Sequence, residues 1–157
     1  MICNVRLWLV LLSCFCMPQI WGRCPSLQLK SLQMVYRTED SFKGFFEALN
    51  GQERSGGRIF VRSNKDCRGG IYFVLDFNLA LQCLPKESVC VIEYITTDSP
   101  HVQTFQWNLP AFKGVWRNEM YLGITGDQSD FQLVSWHVYI RDLQGRIITE
   151  LKSFAWN

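Results

Sequence analysis

Every odd position from 71 to 81 carries a large apolar side chain: Ile71, Phe73, Leu75, Phe77, Leu79 and Leu81. Asp76, Asn78 and Gln82 fall between them. Alternation at period two over this length specifies a β-strand with one face buried, because successive side chains of a strand point to opposite sides. Such a strand must cover its apolar face with a second layer, so this run alone demands a sheet packed on something else. Cys83 continues the same odd face, and the strand is expected to run to it.

Val89–Thr96 reads as the next strand, and pairing of Cys90 with Cys83 would turn Ile92 and Tyr94 inward with it. Val134, Trp136, Val138 and Ile140 alternate with Ser135, His137, Tyr139 and Arg141 and predict another, with the tryptophan in the core. Asp142-Leu143-Gln144-Gly145 supplies a turn, since Asp can accept hydrogen bonds from its own backbone and Gly tolerates positive φ. The return strand, residues 146–156, changes phase: Ile147 and Leu151 favour one face, Ile148, Phe154 and Trp156 the other. A bulge near Lys152 and Ser153 would reconcile them.

Weaker strand patterns cover residues 27–36, 58–62, 103–107 and 119–124. One helical pattern spans 41–51, with Phe42, Phe45, Phe46 and Leu49 spaced i, i+3, i+4, i+7 and Gly51 as its stop. Many short strands without βα alternation predict a mostly β fold, an antiparallel β-sandwich of immunoglobulin-like architecture with at most one short helix. The Cys–Trp–Cys framework of true immunoglobulin domains is absent.

The N-terminus has a different character. Arg6 precedes an apolar run over residues 7–17, too short for a bilayer-spanning helix and of the length of a signal-peptide core. Residues 1–22 are therefore expected to be a secretory signal cut after Gly22, leaving residues 23–157 as one β-sandwich domain. An alternative reading cuts before Cys14, because Leu11, Ser13 and Cys14 match a bacterial lipobox, and Cys14 would then carry a lipid. The expected location is the periplasm, the cell envelope or the extracellular space.

Loss of residues 1–22 removes three of the seven cysteines and leaves Cys24, Cys67, Cys83 and Cys90. An even number in an oxidising compartment predicts two disulfides. Cys83 and Cys90 bracket a turn-like stretch, which pairs them across a hairpin and leaves Cys24 for Cys67. The chain-entropy treatment assigns roughly 2.5 kcal/mol to the short loop and about 4 kcal/mol to the long one. No paired CxxC with a nearby histidine suggests a metal.

Chemistry is sparse. The two histidines, His101 and His137, have no GxSxG elbow beside them, and His137 is expected at a solvent-facing or rim position. The glycine-flanked stretch 123–127 lacks the GK[ST] of a phosphate loop. Asp127, Asp130 and Glu119 match no EF-hand spacing. Lys+Arg exceed Asp+Glu by 16 − 14 = 2, too small an excess to make nucleic acid a partner.

Two surface features remain. Arg54, Arg58, Arg62, Lys65 and Arg68 are concentrated in a hairpin-like region, and Arg58 and Arg62 share strand parity, so they would form a stripe suited to a sulfated or carboxylated glycan or to lipid headgroups. Trp116 lies in a loop, and Phe154 and Trp156 escape the strand pattern. These residues are the expected ligand contacts, with Arg58 and Arg62 as second choice. The sequence thus predicts a non-catalytic, exported binding or structural module with no cofactor. Its partner would be a protein or glycan, and membrane contact would come only through a lipid anchor. The alternative is a small secreted glycan hydrolase with an acid pair that sequence does not place.

Overall fold

The structure, a computed structural model, describes residues 26–43, 49–51, 53, 55–126 and 132–156. The expected signal segment, Cys24 and its bridge to Cys67, Arg54, Asp127 and Asp130 lie outside or depend on residues outside this set.

Among the described residues, eight strands form two four-stranded sheets: β1 (Leu29–Arg37), β2 (Phe60–Arg62), β3 (Gly70–Phe77), β4 (Val89–Thr96), β5 (Ser99–Asn108), β6 (Glu119–Thr125), β7 (Leu133–Arg141) and β8 (Ile147–Lys152). The first sheet has the order β1-β3-β6-β2 and the second β5-β4-β7-β8. All neighbours are antiparallel except β2 and β6, which run parallel over three residues and correct the wholly antiparallel expectation. The chain reaches β2 through the long connection after β1, which frees it from the reversal a tight hairpin would impose.

Both sheets contribute to one hydrophobic core. Ile71, Phe73, Leu75 and Phe77 of β3 meet Cys90, Ile92 and Tyr94 of β4, Met120 and Leu122 of β6, and Val138 and Ile140 of β7. Each fully buried aliphatic or aromatic side chain contributes about 1.5–3 kcal/mol through apolar area removed from water. Trp107 of β5 joins the layers: its indole Nε1 donates to the Gly123 carbonyl on β6 at 3.2 Å, and its ring lies 6.1 Å from that of Phe73. At the opposite edge the Leu29 amide donates to Thr149 Oγ1 at 2.9 Å, linking β1 to β8.

Several local expectations shift. β3 ends at Phe77 rather than at Cys83, and residues Leu81–Cys83 form a 3-10 turn. Asn78 ends the strand by accepting from the Gln28 amide at 2.7 Å and donating to the Ser26 carbonyl at 3.0 Å. The chain then crosses to the second sheet, where Cys90 lies opposite Trp107 and Ile140, and Cys83 is not across a ladder from it. No disulfide joins Cys67, Cys83 and Cys90 to one another, so the expected Cys83–Cys90 bridge is absent. Full burial pushes the Cys90 thiol well above its ordinary pKa, which suits an unreactive core side chain.

Val134 is exposed, because a register shift pairs Leu133 with Thr96 and Leu133 packs on the core instead. The irregularity in the last hairpin falls at Ile148, which is skipped between the pairs Ile140–Thr149 and Arg141–Ile147, rather than at Lys152 and Ser153. Asp142 forms its turn as expected, with Oδ1 accepting from the Gln144 and Arg146 amides at 3.0 and 2.9 Å. Of the expected helix, Phe42 closes the 3-10 turn Glu39–Phe42 and Leu49 is exposed, while residues 44–48 lie outside the described set.

Candidate functional site

The outer face of the first sheet is built from the residues whose parity points away from the core. Tyr72 of β3, Tyr121 and Gly123 of β6, and Phe60 and Arg62 of β2 share that face, since Ile71, Phe73, Leu122 and Val61 pack inward. Register places Arg62 beside Gly123 and Gly123 beside Tyr72, so the phenol ring lies over the glycine. A Cβ at Gly123 would sit 2.6 Å from Tyr72 Cε1. The Tyr72 hydroxyl donates to the Arg68 carbonyl at 2.6 Å and accepts from Arg62 Nε at 3.1 Å.

Phe42 and Phe60 complete an aromatic cluster, with ring centroids 5.3 and 5.7 Å from Tyr72 respectively. The Arg62 guanidinium lies 5.4 Å from the centroid of each of these two phenylalanine rings. It also donates to both Glu53 oxygens, at 2.5 and 3.3 Å, with its side chain only 10% exposed. The bond to Glu53 holds Arg62 above its ordinary pKa, and the same bond from Arg62 holds the Glu53 carboxyl below the usual carboxylate range. Desolvation keeps the Tyr72 phenol protonated well into alkaline pH. These charges stabilise the face and are already matched.

Glu53 therefore makes a pH-dependent contribution. A depressed carboxyl pKa stabilises the fold above the unfolded-state value, and that stability is lost as pH falls through the folded value. Thermal unfolding from pH 6 down to pH 2 is expected to show a shallower acid-induced drop in Tm for Glu53→Gln than for the natural chain. Parallel curves would show that the Arg62–Glu53 pair carries no such linkage.

Beside this cluster opens a cleft of about 280 Å³ lined by Arg58, Arg117, Asn118, Glu119 and Tyr121. Tyr121 is placed by β6, and its ring lies 4.8 Å from that of Phe60. Arg117 and Asn118 are anchored through their carbonyls, which accept from the Leu81 amide at 2.7 Å and the Phe77 amide at 2.8 Å. Asn118 Nδ2 also donates to Asp76 Oδ1 at 2.9 Å. Arg58 follows a turn closed by its own amide on the Ser55 carbonyl at 3.0 Å. Gly57 in that turn has φ +77, and a Cβ there would meet Arg117 Nη2 at 3.1 Å, so glycine lets the Arg58 turn approach Arg117 closely. Neither the Arg58 nor the Arg117 side chain makes a hydrogen bond or ion pair among the described residues. Burial, followed by the Glu119 carboxylate, raises the Tyr121 phenol pKa and keeps it a hydrogen-bond donor.

The sequence-predicted contacts divide between different places. Trp116 is 81% exposed and immediately precedes Arg117, in the loop that supplies one wall of the cleft. Arg58 lines the cleft, whereas Arg62 is withdrawn into the aromatic cluster, so the two do not form a stripe. Phe154 is fully exposed, and Trp156 is half-buried with its ring 5.9 Å from His137. This pair lies toward the Tyr94 end of β4, since the Ser153 amide bonds the Trp136 carbonyl and Trp136 faces Tyr94. The Trp116 loop lies toward the other end, at the connection that leads into β4. The structure does not bring the two sets together.

Sequence reasoning did not find Arg117, Tyr121, Glu53 or Tyr72. Tyr121 carried a usable signal, since it lies between the inward Met120 and Leu122. It also did not find the environment of His137, whose side chain is 12% exposed and held between Glu93 at 3.2 Å and Glu150 at 2.8 Å, one carboxylate for each ring nitrogen. The hydrogen bond from His137 holds the Glu150 carboxyl below its ordinary pKa. Among the described residues, no group of three His, Cys, Asp or Glu side chains has metal-binding geometry. Comparison with protein-family models, curated proteins and solved structures finds no match to the chain.

Proposed function

We propose that the protein is an exported, non-catalytic binding module that holds an acidic glycan in the cleft between Arg58 and Arg117. In this reading the two sheets form an immunoglobulin-like sandwich, residues 1–22 direct export, and any membrane contact comes from a lipid on Cys14. The observation that carries the proposal is two guanidinium groups that line one cleft and make no ion pair among the described residues, while the cleft's own carboxylate, Glu119, interacts with the Tyr121 phenol. A guanidinium presents a planar fork of donors that matches a carboxylate or sulfate with two parallel hydrogen bonds. Tyr121 adds an apolar ring with a polar tip, the combination that suits a sugar face carrying hydroxyls. In this reading the exposed indole of Trp116, the residue before Arg117, also meets the ligand.

Calorimetric titration with sulfated, uronic and neutral oligosaccharides tests this reading. Hydrogen bonds to charged groups contribute about 1.5–3 kcal/mol each, so Arg58→Ala and Arg117→Ala are each expected to weaken an acidic ligand by roughly tenfold or more. Binding should also weaken as salt rises, because the cleft is open to water. Equal affinity for neutral and acidic sugars, or variants that bind as the natural chain does, would overturn the proposal.

Trp116→Ala discriminates binding from packing. Its exposure predicts a stability change within about 0.5 kcal/mol, with weakened oligosaccharide binding. Destabilisation of several kcal/mol in urea would instead mark the indole as a plug of the core.

A further inference from the structure

Arg58 lines a second, smaller chamber as well, of about 60 Å³, which it shares with Arg37, Ser55 and Phe60. Arg37 Nε is buried and has no hydrogen-bond partner among the described residues. An orphaned buried donor of this kind costs about 1–3 kcal/mol unless a group outside the chain satisfies it. The Arg37 guanidinium is held 5.9 Å from the Phe42 ring centroid, which fixes the fork in place. Glu53 is the chamber's carboxylate, but both of its oxygens accept from Arg62, and Arg68 lies 3.6 Å away, so its charge is answered from behind. Ser41 also lines the chamber and spends its hydroxyl proton on the Thr38 carbonyl at 2.7 Å. Ser55 lines the chamber and its hydroxyl makes no hydrogen bond among the described residues.

The volume exceeds the roughly 10–15 Å³ that a single water needs. Two guanidinium groups and a serine hydroxyl line the chamber, and one of those guanidinium groups, that of Arg37, has its buried Nε unsatisfied, which suits the chamber to an oxyanion. We infer that the chamber is an oxyanion subsite of the neighbouring cleft, joined to it through Arg58, and that the ligand carries two acidic groups, one for each. This deepens the acidic-glycan reading and rests on it for the oligosaccharide, but the oxyanion itself can be tested alone.

The experiment uses inorganic sulfate, a monosulfated disaccharide and its disulfated counterpart, titrated calorimetrically into the full chain and into Arg37→Lys, which keeps the charge and removes Nε. Sulfate is expected to bind saturably and to weaken at least tenfold in Arg37→Lys. The disulfated sugar is expected to bind at least tenfold tighter than the monosulfated one, with that advantage lost in the variant. If Arg37→Lys fails to fold, Ser55→Ala, in an exposed turn, takes its place and should weaken sulfate severalfold. No saturable sulfate binding, or sulfate held equally by the variant, overturns the subsite and leaves water as its occupant. Sugars that bind without preference for the second sulfate overturn the subsite while the cleft reading survives. Arg37-dependent sulfate binding without any sugar binding sinks the cleft reading and leaves a site for a free oxyanion.

Discussion

Trp107→Ala is expected to lower the free energy of unfolding by about 3–5 kcal/mol, the range of buried aromatic truncations in which the surroundings collapse only partly. The indole is 3% exposed and stands between the sheets, against Phe73 and Phe105 and bonded to the Gly123 carbonyl. Loss of that bond does not orphan the carbonyl, because the Ser63 amide also donates to it at 2.8 Å. The cost should therefore follow the volume left empty, and Trp107→Phe should recover a large part of it. Urea unfolding reads this as a lower midpoint at unchanged slope. A loss below about 1 kcal/mol would mean that the tryptophan does not hold the two layers together.

Gly123→Ala is expected to cost about 1–3 kcal/mol by overpacking, although alanine is the smallest possible addition. The new methyl would meet the Tyr72 ring at 2.6 Å, and that ring cannot swing away without breaking its bonds to the Arg68 carbonyl and Arg62. Displacing Tyr72 would in turn disturb Arg62, Phe60 and, through Phe60, the Tyr121 wall of the cleft. Destabilisation should be accompanied by weaker acidic-ligand binding in the fraction that remains folded. Pairing Gly123→Ala with Tyr72→Leu tests the cause: the two losses should be strongly non-additive if the contact with the ring is the source. Simple additivity would place the cost of the methyl elsewhere.

How much of this could be read from the chain depended on whether the information was local. The inward set of β3 followed from alternation, because that strand presents its own period against a single core. Cys90, Ile92 and Tyr94 of β4 do face the core, but residues 89–95 are apolar at nearly every position, and their inward phase was inferred only through a Cys83–Cys90 bridge that the structure lacks. The same alternation continued past the end of β3 and misled. Leu79, Leu81 and Leu84 pack on the core from the connection between the sheets, and a core-lining crossover has the same apolar spacing as a strand. The Cys83–Cys90 pairing failed with it, since it required a hairpin where the chain changes layers. Arg58 and Arg62 share parity, yet Glu53 and Tyr72 capture only Arg62. Tyr72 occupies an outward position of β3 and is nevertheless fully buried, because Phe42 and Arg62 cover it. Contacts between residues distant in the chain, such as Phe60 with Tyr121 or the Arg58 turn with Arg117, leave no periodic trace, which is why Trp116 and Arg58 were visible as candidates and the cleft between their segments was not.

The cleft is tested most directly by mapping backbone amide shifts in a 1H–15N spectrum while a disulfated disaccharide is titrated into the isotope-labelled protein. Saturable shifts concentrated at Arg58, Arg117, Asn118 and Tyr121, together with the Trp116 indole, are the expected result. A spectrum that does not change, or shifts confined to His137, Tyr139 and Trp156 on the other sheet, would contradict it.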